Sequence, residues 1–215
     1  MQMMKRRDFS LACGAVLAGA TLPAAAQMRF DAGKDYLPLD KPAPVEAPAG
    51  KIEVVEFFWY NCPHCNAFEP VLESWIKRQP RDVAVRRVPV AFNSAFQPQQ
   101  QLYYTLEAMG LVEKLHGKVF QAIHVERKRL EKADVIADWI ATQGVDKVKF
   151  VEQFASFSVA SKVARASQLT AAYRVEGVPA MGVAGRFYTD GSLSRNMERS
   201  LQVVDYLVGE VRKGR

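Results

Sequence analysis

Residues 52–60, IEVVEFFWY, form an almost unbroken run of β-branched and aromatic side chains, and no other stretch restricts the fold so strongly. Such a run predicts a strand buried on both faces of a central sheet. Glu56 is the anomaly inside it. A buried carboxylate is costly unless it is neutral, paired or hydrated, so Glu56 is either an edge-facing acid paired with a surface base or a group with a task.

The pattern changes at Pro63. Phe68, Val71, Leu72, Trp75 and Ile76 recur at helical spacing, and the helix is expected to stop at Pro80. Residues 83–90 then alternate as a second strand, so strand, helix and strand follow in the order of a parallel crossover unit. Residues 38–50 carry four prolines and precede the first long strand as an extended lead-in or short edge strand. Between residues 99 and 173 the periodicity is helical, with room for four or five helices. VPAMGVAGRFYTDG returns to short strands around an Ala184-Gly185 turn, and MERSLQVVDYLVGEV supplies a last amphipathic helix. The expected class is therefore α/β, split by a helical insertion.

The first 26 residues read as a cleaved targeting peptide, with a basic start at Lys5, Arg6 and Arg7, the apolar stretch LACGAVLAGATL and small residues before Gln27. KRRDFS suits a twin-arginine signal as well as a general secretory one. Loss of this segment removes Lys5, Arg6, Arg7 and Asp8, so the formal charge falls from +6 to +4. Without a dense basic run or interleaved aromatics, that surplus gives no reason to expect a nucleic-acid partner.

Cys62 and Cys65 are then the only cysteines of the mature chain, in the stretch FFWYNCPHCNAF. A structural staple across so short a loop removes little unfolded-state entropy. Haem attachment requires a histidine after the second cysteine, where Asn66 stands. A closed zinc site needs four ligands, and the other candidates are His64 between the cysteines and the distant His116 and His124, assigned to helix surfaces. No metal is expected, although a soft-ion carrier using both thiols is the rival from another class.

A reactive pair uses every feature of the stretch. At a helix N-cap, Cys62 faces unpaired backbone N–H groups and the positive end of the helix dipole, both of which favour a thiolate. Pro63 suits the first helical turn, and His64 offers a positive charge or a donor near the sulfur. A pair whose reduced form is stabilised in this way gives its disulfide to other thiols.

With VVEFFWYNCPHCNAFEP early and EGVPAMGVAGRF late, the chain resembles the DsbA family of bacterial periplasmic thiol oxidants from about Tyr36 onward. The resemblance implies a thioredoxin-like fold with an inserted helical domain: residues 27–98 and 174–215 make the thioredoxin-like part and 99–173 the insertion, after the 1–26 signal. It implies Cys62 as exposed nucleophile and Cys65 as the more buried resolving partner, with Pro63 and His64 tuning the pair. Val178 and Pro179 resemble the cis-proline loop, whose backbone would pair with an extended substrate. Glu56 becomes a supporting proton relay or pKa modulator for Cys65, beside Arg86 or Arg87 where the family's best-known member has lysine. Glu69 and Phe68 are assigned to the exposed and core faces of the helix. The implied activity is donation of the Cys62-Cys65 disulfide, with no further cofactor, to reduced exported proteins. A DsbB-type membrane quinone reductase would restore the disulfide. The chain is expected in the periplasm as a monomer, its insertion forming a cap that offers a groove to substrate and partner.

Overall fold

The computed structural model describes residues 29–214, so the targeting segment 1–26 lies outside the described residues. The elements in chain order are β1 (Leu37–Pro38), β2 (Ile52–Phe58), α1 (Pro63–Ile76), β3 (Val83–Pro89), α2 (Gln97–Ala108), α3 (Val112–His124), α4 (Ala133–Thr142), α5 (Lys147–Phe154), α6 (Phe157–Ala172), β4 (Ala180–Val183), β5 (Phe187–Asp190), α7 (Gly191–Ser194) and α8 (Met197–Arg212). The strands form one sheet in the order β1-β5-β4-β2-β3. Only β2 and β3 run parallel, joined through α1 as a crossover requires. The lead-in supplies the edge strand β1 against β5.

Strand β2 lies between β3 and β4, and Val54 through Phe58 are fully or nearly fully buried. Side-chain alternation divides its residues between two cores. Val54 joins Phe68, Leu72 and Trp75 of α1, together with Met181, Val183 and the apolar stripe of α8. Val55 and Phe57 join the opposite core, which extends through the five helices α2–α6. Helix α1 ends at Ile76 with Lys77 as its C-cap, four residues before the expected stop at Pro80. It also contains Pro70, whose missing N–H leaves one carbonyl of the preceding turn without its helical partner.

The return hairpin β4–β5 turns at Ala184 and Gly185, both with positive φ, and the Arg186 N–H bonds to the Val183 carbonyl at 2.9 Å. Gly182 is required for a different reason. The ring of Tyr173, which follows α6, lies where a side chain would start: a Cβ on Gly182 would stand 2.4 Å from Tyr173 Cε1. The same ring meets Phe57 edge-on at 5.1 Å, and its hydroxyl accepts the Gly185 N–H at 3.0 Å. The last turn of the insertion is thereby seated on the sheet. Gly182→Ala is expected to cost about 1–3 kcal/mol of stability through overpacking, read as a lower urea midpoint with an unchanged m-value.

Candidate functional site

The site lies where β2 hands over to α1. After Phe58 the chain leaves the sheet, the Cys62 N–H bonds to the Trp59 carbonyl at 3.0 Å, and Pro63 opens the helix. Cys62 is the N-cap residue, with extended φ −75° and ψ 117°, and no side chain caps the N–H groups beyond it. Those donors are therefore free to face the sulfur. Both cysteines are free thiols. Cys62 is 8% exposed and Cys65 fully buried, so the expected order of exposure holds while Cys62 itself is largely covered. The reason is Val178, whose carbonyl oxygen lies 3.3 Å from Cys62 Sγ and accepts a hydrogen bond from its protonated form. The Val178–Pro179 peptide bond is cis, as expected.

The two thiols differ sharply in acidity. Cys62 is lowered to about 6, first by the hydrogen bond from the Cys65 thiol, then, against the cost of burial, by the backbone N–H groups of Cys65 and His64. The charge of His64, an exposed side chain, adds a smaller pull. Cys65 is pushed far above the thiol range, first by burial, then by the bond to Cys62 and the negative charge that Cys62 carries. One helical turn thus separates a ready thiolate from a thiol that holds its proton.

Glu56 lies beneath this turn at zero exposure and is raised to about 8 by burial and by the charge of Glu69. Strand register decides which arginine attends it. Arg87 is directly opposite Glu56 in the β2–β3 ladder, and its Nε lies 3.2 Å from Glu56 Oε2. Arg86 points to the other face and bonds Glu53 through Nε and Nη2, each at 3.2 Å. Arg87 Nη2 also donates to Glu69 Oε1 at 2.7 Å and to Glu73.

Two expectations fail here for one reason: α3 packs on α1 and covers the helix face that the sequence pattern leaves open. Glu69 is 8% exposed instead of solvent-facing, and His116 is 4% exposed instead of on a helix surface. His116 Nδ1 is 2.8 Å from the Tyr60 hydroxyl, and its Nε2 is 3.4 Å from Glu69 Oε2. His124 is half-buried, and its Nε2 donates to the Tyr60 carbonyl at 2.8 Å. Next along the chain, the Asn61 side chain accepts from Gln99 Nε2 at 2.6 Å. Gln99, His116 and His124 were not legible as site residues, because each acts from the insertion on the segment before Cys62.

A cleft of about 490 Å³ borders the pair, lined among others by His64, Phe68, Val178, Pro179, Arg195 and Met197. None of its lining residues comes from 99–173. The insertion therefore meets the junction from its other side and contributes no lining residue to this cleft. Among the described residues no group of three or more His, Cys, Asp or Glu side chains is placed to hold a metal ion.

A thiolate and a protonated thiol one turn apart on a thioredoxin-like sheet make a dithiol that exchanges with disulfides, and that is the chemistry of a thiol:disulfide oxidoreductase. Known proteins agree and narrow the class. Residues 53–202 match the family described as DSBA-like thioredoxin domain. The thiol:disulfide interchange protein DsbA of Bordetella pertussis is 45% identical over 211 residues, covering 98% of this chain and 100% of that protein. Its namesake from Burkholderia cepacia is 42% identical over 204 residues, covering 95% and 93%. The crystal structure of Pseudomonas aeruginosa DsbA superposes with a TM-score of 0.82 at 42% identity, covering 86% of this chain and 96% of that one. The chain belongs to the DsbA family of thiol:disulfide oxidoreductases.

Proposed function

We propose that the chain donates its Cys62-Cys65 disulfide to exported proteins in the periplasm. A substrate thiolate attacks Cys62 Sγ, the bond to Cys65 breaks, and Cys65 leaves as a thiolate that takes up a proton. A second substrate thiolate then attacks the substrate sulfur of the mixed disulfide and releases the Cys62 thiolate. The substrate loses two electrons and the enzyme gains them. A DsbB-type membrane quinone reductase returns the enzyme to its disulfide form by passing those electrons to quinone.

The observation that carries this reading is the opposed acidity of the two thiols. The stabilised Cys62 thiolate is a good leaving group and makes the reduced enzyme the favoured state, which drives the disulfide toward substrate. Glu56 is buried and protonated below about pH 8, and its charge is felt by Cys65, which suits it to supply the proton that Cys65 takes up. The backbone of Val178 pairs with an extended substrate segment as an added strand, and the adjoining cleft receives flanking side chains. Pro63 and Pro179 fix the two backbone segments that meet at the sulfurs. The enzyme works as a monomer and uses no cofactor beyond its own disulfide. Among the described residues no helix is long and apolar enough to cross a membrane.

Urea unfolding of the two redox forms against pH tests the direction of transfer. The folded Cys62 thiol ionises at about 6 and the unfolded one near 9, so between these values the unfolded reduced chain holds the extra proton. The stability of the reduced form therefore rises with pH across that window, is complete above 9 and is lost as pH falls through 6. The oxidised form has no thiol to titrate. The gap is expected to move toward the reduced form by about 3 kcal/mol from pH 6 to pH 9, after allowance for solvent at the sulfur. A flat or reversed gap would replace the oxidase reading with a reductase or isomerase.

A further inference from the structure

The buried polar cluster beneath the cysteines does not end at Glu56, Arg87 and Glu69. It continues into the helical insertion at His116, and the contacts of that ring fix its state. Glu69 is held as a carboxylate by Arg87 at 2.7 Å. The imidazole nitrogen facing it, Nε2, must then carry the proton, since two acceptors would repel. Nδ1 is left as an acceptor and receives the Tyr60 hydroxyl at 2.8 Å. Neither His116 Nε2 nor Glu69 Oε2 has a hydrogen-bond partner among the described residues, and at 3.4 Å the two face each other as a buried donor and acceptor.

We propose that His116 is a positioning residue that keeps Glu69 ionised and so confines the proton of the buried carboxylate pair to Glu56, the member that serves Cys65. The inference rests on the exchange reaction proposed above. Glu56 and Glu69 compete for Arg87 and for one proton, with Glu73 at the outer end of the same guanidinium. A donor placed on Glu69 alone breaks that symmetry. The charge left on Glu69 then raises the proton affinity of Glu56, in keeping with the upward shift of Glu56. The groups facing His116 are Glu69 and Glu73 of α1, Arg87 of β3, Tyr60 after β2 and Tyr103 of α2, with Glu56 of β2 reached through Arg87. Burial keeps the ring itself neutral. Its role is to donate through Nε2 without titrating, and the insertion thereby takes part in the proton chemistry of the thioredoxin-like half.

The test is the rate at which dithiothreitol reduces the oxidised protein, divided by the concentration of its thiolate and followed from pH 6 to pH 10. In the wild type this rate is expected to fall as Glu56 loses its proton. In His116→Leu, where the proton is shared with Glu69, the fall is expected about one pH unit lower. His116→Gln retains an N–H that reaches Glu69 and is expected to keep the fall within about a third of a unit of the wild type. An unmoved profile in His116→Leu, or a His116→Gln profile displaced as far as that of His116→Leu, overturns the proposal. A wild type that does not exchange at all overturns the disulfide-transfer reading instead. Ring nitrogen shifts of His116 in the wild type provide a measurement independent of exchange and of how the variants fold. A proton on Nε2 with Nδ1 as acceptor is expected at pH 7, and the opposite tautomer overturns the proposal.

Discussion

Cys62→Ser is expected to lower the rate of disulfide exchange on the order of a thousandfold or more, because the attacked sulfur and the stabilised thiolate are lost together. Cys65→Ser is expected to behave differently. Its Cys62 remains ionised at neutral pH and attacks an external disulfide, but no second thiol stands one turn away to release the product. A covalent adduct with substrate accumulates, visible as a mass increase that dithiothreitol reverses. The asymmetry follows from the site: Cys62 retains an 8% opening to solvent next to the Val178 carbonyl, whereas Cys65 has none. In Cys65→Ala the S–H donor, the largest single contribution to the lowered pKa of Cys62, is lost with no hydroxyl in its place. The trapped adduct should therefore form more slowly at pH 6 than the wild-type mixed disulfide, and equally fast above pH 9. Accumulation of adducts in Cys62→Ser but not in Cys65→Ser would reverse the assignment of nucleophile.

What could be read from the sequence is what local chemistry dictates. The run through β2, the proline after Cys62 and the apolar spacing of α1 each act over a few residues, and together they place the thiol at an N-cap. The Ala184-Gly185 turn and the strands around it are legible for the same reason. The cis-proline loop is not local: Val178 becomes a neighbour of Cys62 only through the antiparallel pairing of β4 with β2, 116 residues away in the chain. It was accessible through family resemblance and not through spacing. Glu69 and His116 lay beyond both routes. Each looks solvent-facing on its own helix, and only the packing of α3 against α1 turns two surface polar residues into a buried pair. Gly182 was read as part of a short strand. The demand for a missing side chain there comes from Tyr173, on a segment that sequence periodicity cannot align with it.

Register, finally, resolves Arg86 against Arg87 and makes Arg87→Met the most damaging single change expected outside the cysteines. Among the described residues Arg87 is the one guanidinium serving Glu56, Glu69 and Glu73, and its side chain is 13% exposed. Without it, Glu56 and Glu69 remain in a site that water barely reaches, and their only relief is to take up protons. Breaking a buried ion pair from one side costs about 3–5 kcal/mol, and that is the loss of unfolding free energy expected at pH 8. The pH dependence has a definite sign. Glu56 already binds its proton more tightly when folded, with a value near 8 against 4.5 for a free side chain. Its contribution is complete below 4.5 and is lost as pH rises to 8. Removing Arg87 strengthens this trend by raising Glu56 further and by undoing part of the lowering of Glu69, so the variant should recover part of its deficit at pH 5. Arg87→Lys retains the charge but not the fork that reaches three carboxylates, and should fall between the two. Adding Glu56→Gln to Arg87→Met removes the stranded charge and is expected to restore stability relative to the single variant, which a urea series at both pH values would measure. A deficit that is the same at pH 5 and pH 8 and insensitive to Glu56→Gln would mean that Arg87 supports the fold by packing alone.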